Sequence, residues 1–131
     1  MSFCLSQNGK LWEPKSLARI NQVHEKAMLV EKTQPWWVGL SDAGSEGTFK
    51  YDSNNELFPF ENKKAPWVSY EPNGGTTENC AVMYSWIALW QDVKCNYANR
   101  YSICEFPSDS TGNMKFKKKN WIYQIKILSL L

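Results

Sequence analysis

Glu71, Glu78 and Asp92 supply three carboxylates, and Asn73, Asn79 and Gln91 three carboxamides, within one short part of the chain. Glu71 and Asn73 flank Pro72, and Gly74 and Gly75 follow at once. Three like charges brought together repel unless a cation or a base sits among them. Ca²⁺ takes several hard oxygen ligands in a tolerant geometry, which this set can supply. Mg²⁺ suits it less, because it demands stricter geometry and keeps its waters. The competing reading is a set of solvated loop acids pointing apart, and composition alone favours it. Other chemistry is poorly supplied. His24 is the single histidine and lies in a helical pattern, so it reads as an ordinary helix residue. No Ser or Cys has a partnered base for nucleophilic catalysis. A glycosidase pair of carboxylates ranks low, since a calcium shell would hold both ionised. The expectation is a binding protein, not an enzyme.

The elements that must position these residues read as α+β. Gly9 to Pro14 is an extended entry. Ser16 opens a helical pattern in which Leu17, Ile20, Val23, His24, Ala27 and Leu29 fall mostly on one face. Pro35 closes off any helix before it. Trp36–Leu40 reads as a buried strand, and the turn-rich Ser41–Gly47 leads to a second strand at Thr48–Tyr51. Asp52 to Thr77 loses periodicity and is rich in Asn, Pro and Gly, and a loop this long is either functional or wrongly assigned. Strands resume at Cys80–Tyr84, near Leu89–Val93 and at Tyr101–Phe106. Trp36, Trp37 and Trp86 read as core, and Trp67 and Trp90 as structural residues near the loop.

The 131 residues suffice for one domain. Seven Trp, six Tyr and six Phe give a loop-rich chain the area for a core. The net charge of +2 is concentrated in the tail, at Lys115, Lys117, Lys118 and Lys119. The remainder is slightly acidic, which argues against a nucleic-acid face. Cys4, Cys80, Cys95 and Cys104 include no CxxC pair, so zinc and thioredoxin-like sites are disfavoured. Their even count and wide spacing favour two disulfides and an oxidising compartment. No stretch is long and apolar enough to span a membrane. Met1–Leu5 is no signal peptide, so either the chain is cytosolic or its true beginning is absent from this sequence. After Phe106 the composition turns to linker, then to a basic run and an apolar end. The expected division is therefore a domain over 1–107 and a tail over 108–131. The favoured reading of the last eleven residues is a poorly ordered tail, or one outside the domain's normal sequence. The alternative is an anchor for a membrane surface or a partner; pairing of that tail into the sheet is a further hypothesis.

In order and spacing, these motifs resemble the C-type lectin-like domain. Trp36-Trp37-Val38-Gly39-Leu40 is similar to the family's W-I-G-L strand. Trp67 followed by Glu71-Pro72-Asn73 is similar to its W-x-x-G-E-P-N loop. Glu78-Asn79-Cys80, Trp90-Gln91-Asp92, Cys95 and Cys104-Glu105-Phe106 continue the pattern. The resemblance covers Cys4 to Phe106 and implies Cys80–Cys95 and Cys4–Cys104 bridges. It implies a cis bond before Pro72. It also implies a first strand and first helix that this chain lacks, leaving an edge of the sheet unpaired.

The resemblance implies that Glu71, Asn73, Glu78, Gln91 and Asp92 hold one Ca²⁺. Glu71, Asn73, Glu78 and Gln91 would also hydrogen-bond two vicinal sugar hydroxyls, each carboxylate accepting and each amide donating. Family members with E-P-N prefer mannose-type sugars, including fucose and GlcNAc. Gln91 departs from the pattern, which has Asn. Its extra methylene changes the reach of the amide oxygen. An accessory calcium site is disfavoured because Gly74 and Asn79 stand where acids would help; Asp42 and Glu46 could assist it. The implied function is calcium-dependent carbohydrate binding outside the cell, strengthened by oligomerisation. The runner-up is calcium-independent recognition of a protein or other surface by the same fold.

Overall fold

The computed structural model describes residues 2–6, 9–84, 90–97 and 101–105, with 2–3, 113–118 and 121–126 as backbone. The described elements run α1 (Ser2–Ser6), β1 (Lys10–Leu11), α2 (Leu17–Val30), β2 (Pro35–Ser41), β3 (Lys50–Tyr51), β4 (Cys80–Tyr84), β5 (Trp90–Val93), β6 (Ser102–Glu105), β7 (Asn113–Lys118) and β8 (Trp121–Lys126). A 3₁₀ turn over Gly75–Thr77 precedes β4.

Ser16 caps α2: its side chain accepts from the Arg19 N–H at 3.1 Å, satisfying one of the unpaired donors of the first turn. Ile20, Val23 and Ala27 face the core. Leu17 and Leu29, expected on the same face, are 44% and 76% exposed. The inward stripe at i, i+3 and i+7 is narrower than the apolar pattern suggests.

The sheet runs β5–β4–β2–β6–β7–β8, with β1 also pairing β6 and β3 pairing β2. Most pairs are antiparallel, and β2 meets β6 in parallel at Trp37 and Ser102. Alternation along the strands creates two apolar layers. Trp36, Val38, Leu40, Met83 and Ile103 join the α2 residues in the main core. On the other face Cys4, Leu11 and Cys104 form a smaller cluster against Trp37. Trp86 lies outside the described residues.

Both implied disulfides are present: Cys4–Cys104 with Cα atoms 5.5 Å apart, and Cys80–Cys95 at 5.0 Å. The expected unpaired edge at the closing strand is not. β7 covers one side of β6, while β1 and β2 take the other. The strand against β6 is Asn113–Lys118. Trp121–Lys126, from the apolar end, pairs outside it on β7. Two stretches of the presumed tail therefore extend the sheet.

The long segment from Asp52 is held by rings in place of periodic structure. Phe58 stacks on Trp90 with centroids 5.5 Å apart, and Trp67 meets Phe49 at 4.8 Å and Trp90 at 6.4 Å. Phe58, Trp67 and Trp90 are all buried, which confirms the structural reading of the two tryptophans.

Candidate functional site

The loop that carries Glu71 is fastened to β5 by backbone bonds. Trp90 N–H donates to Pro66 O and Val68 N–H donates to Trp90 O, both at 2.9 Å. One residue further, β5 presents Gln91 and then Asp92 beside the Glu71-Pro72-Asn73 corner. The Glu71–Pro72 bond is cis, as is Ala65–Pro66.

Asp92 is 2% exposed and clasps that corner. Its Oδ1 accepts from Asn73 N–H and its Oδ2 from Gly74 N–H, each at 2.9 Å. Glu71 is likewise 2% exposed, and its Oε2 accepts from Asp92 N–H at 3.3 Å. Neither carboxylate forms a salt bridge among the described residues. Burial, then the hydrogen bond and charge of Asp92, pushes the Glu71 carboxyl up to about 8; Glu78 adds to the effect.

Glu78 folds over Gly74. A Cβ placed on Gly74 would come within 2.1 Å of Glu78 Cβ and 2.6 Å of its Cδ. Glycine at 74 is therefore what admits the Glu78 side chain beside the corner. Asn73 is exposed and Gln91 half-buried.

The structure thus brings Glu71 and Asp92 together, with Glu78 and the Asn73 backbone alongside. Gln91 is differently employed. Its Oε1 accepts a 2.5 Å hydrogen bond from the Tyr84 hydroxyl. Val82 is the register partner of Gln91, so Tyr84, two residues on, is its diagonal neighbour on the same face. Nothing in the linear sequence marks Tyr84; the β4–β5 register is the signal that finds it. Among the described residues, no three His, Cys, Asp or Glu side chains gather tightly enough to form a metal-ligand cluster by themselves.

Next to the loop, Asp42 is 3% exposed. Its N–H donates to Asn79 O at 3.1 Å, and its Oδ2 accepts from Gly47 N–H at 2.9 Å. Asp42 Oδ1 and Asn79 Oδ1 are buried without a hydrogen-bond partner among the described residues. Burial raises the Asp42 carboxyl above its ordinary range despite the Gly47 bond, and the Asp92 charge adds to this.

Comparison with known proteins gives the family and the fold. The sequence pattern of the Lectin C-type domain matches residues 1–106. C-type lectin domain family 3 member A of Bos taurus is 35% identical over 105 residues, covering 79% of this chain and 50% of that protein. The mannose-binding protein of Gallus gallus is 31% identical over 104 residues, covering 79% of this chain and 37% of its own length. The chain spans half or less of the length of these two relatives. Among solved structures, the tunicate lectin TC14 from Polyandrocarpa misakiensis superposes with a TM-score of 0.66 at 21% identity, over 82% of this chain and 86% of that one. The carbohydrate-recognition domain of cow CD23, solved in the presence of a GlcNAc2Man3 oligosaccharide, gives 0.57 at 26% identity, over 72% and 66%. Lectin domains of this family are non-catalytic, and on the strength of the pattern over residues 1–106 this chain belongs to the C-type lectin domain family.

Proposed function

We propose that the Glu71–Asp92 corner is a calcium-dependent site for mannose-type sugars, in a domain that works outside the cell. The observation that carries this reading is the pair of buried carboxylates, Glu71 and Asp92, in contact with no cationic side chain among the described residues. A buried acid without a counter-charge is costly, and a hard cation relieves that cost. The donor set is oxygen throughout, which fits Ca²⁺.

Glu71, Asn73, Glu78 and Asp92 would hold the ion, with Gln91 the fifth member of the set. A bound Ca²⁺ supplies a coordination shell that two vicinal hydroxyls can complete. Glu71 and Glu78 offer carboxylate acceptors to those hydroxyls, and Asn73 and Gln91 offer amide donors. Asp92 keeps Asn73 and Gly74 in place through their N–H groups. The likeness to one relative named as mannose-binding, and to a domain solved with a mannose-containing oligosaccharide, supports the sugar class.

Calorimetric titration of the full chain with Ca²⁺, with and without mannose, tests the reading. Ca²⁺ should bind, and mannose should bind in its presence alone. Mannose binding that persists in EDTA, or no sugar binding at all by the folded chain, contradicts it. A second reading, recognition of a protein or other surface without calcium, is favoured by one observation: the Gln91 oxygen is engaged by Tyr84.

A further inference from the structure

We propose that Tyr84 is a positioning residue that withholds the Gln91 carbonyl from the ion, so that a Tyr84–Gln91 latch sets the calcium affinity of the site. The inference rests on the calcium reading above and concerns which atom of Gln91 faces the ligand. The Tyr84 hydroxyl lies 2.5 Å from Gln91 Oε1 and donates to it. A tyrosine phenol carries its proton at neutral pH and so can donate this bond. Both residues sit on paired strands, in a register fixed by Val82 opposite Gln91 and Ala81 opposite Asp92. The contact is thus built into the sheet and does not depend on loop conformation.

The chemistry follows from the amide. Its oxygen is the sole acceptor and the sole hard metal ligand on the Gln91 side chain, while its NH₂ carries two donors. An oxygen held by a phenol must surrender or share that bond to reach a cation. The donors are unaffected and remain available to a hydroxyl. Gln91 is then a sugar-facing donor first and a metal ligand second, and the glutamine at this position is explained by its reach to Tyr84. An asparagine, one methylene shorter, would not reach.

The test uses the full chain, Tyr84→Phe, Gln91→Asn and the double variant. In calcium-free protein, the side-chain amide NMR signals of Gln91 should shift in Tyr84→Phe while the backbone signals of β4 and β5 hold. Should Tyr84→Phe fail to fold, Gln91→Asn breaks the same contact from the other strand, and the Tyr84 ring resonances report it. Tyr84→Phe should tighten Ca²⁺ binding by about threefold to tenfold, the worth of one neutral hydrogen bond. In the Gln91→Asn background the same change should have no effect. Unmoved Gln91 amide signals overturn the latch whatever calcium does. Moved signals with unchanged or weaker Ca²⁺ binding in Tyr84→Phe overturn the withholding role. No Ca²⁺ binding by any of the four proteins overturns the calcium reading and the withholding with it, while shifted Gln91 signals would still establish the contact.

Discussion

At the scale of single residues, Glu71 has the most to report. Its carboxyl is buried, touches the Asp92 backbone and is pushed up to about 8 from an ordinary 4.5. Between those two values the folded chain retains a proton that the unfolded chain releases. Stability without calcium is therefore fully present below about 4.5 and is lost as pH rises through about 8. Denaturant midpoints measured in EDTA should fall across this window, and Glu71→Gln should flatten the slope. An identical slope in that variant would assign the effect elsewhere. The sequence marks Glu71, Asp92 and Glu78 as a set because their order and spacing match a family pattern. It does not reveal that Asp92 spends both carboxylate oxygens on the Asn73 and Gly74 amides, or that Tyr84 engages Gln91. Those contacts depend on strand register and on close approach in space, which linear spacing does not encode.

At the scale of elements, α2, β2 and β4 are legible because one periodicity or one apolar run covers each. Cys80–Tyr84 coincides with the expected strand, and Ser16 opens α2 as its cap. The expected Thr48–Tyr51 strand shrinks to Lys50–Tyr51. The long loop is legible as a loop, but its fastening is not. Phe58 and Trp67 reach Trp90 from positions with no repeating pattern, and ring packing leaves no periodic trace. The tail is the largest departure, since Asn113–Lys118 completes β6 along four residues. Deleting 113–131 exposes that edge and should lower the Tm by about 5 °C or more. An unchanged melting curve would place the tail outside the cooperative fold. The division into residues 1–107 and 108–131 stands or falls with the same measurement.

At the scale of the whole molecule, two cross-links of different reach hold the layers. Cys80–Cys95 closes 15 residues and Cys4–Cys104 closes 100. In the chain-entropy account, losing the short bridge costs about 3 kcal/mol and the long one about 4.7 kcal/mol. Paired Cys→Ala variants compared by denaturant titration should keep that order; the reverse would show that local contacts outweigh loop closure here. Cross-links of this kind persist in an oxidising compartment. Single sites of the proposed kind gain strength when several act together, so presentation in multiple copies would favour this domain. The Cys4–Cys104 bridge also has a mechanical consequence. It joins α1 to β6 with Cα atoms 5.5 Å apart. Tension entering before Cys4 and leaving after Cys104 can peel away β7 and β8, but at the disulfide it passes from one strand of chain to the other through sulfur. The corner at Glu71 lies inside that covalent loop, so tension carried along the chain from one side of the bridge to the other bypasses the corner.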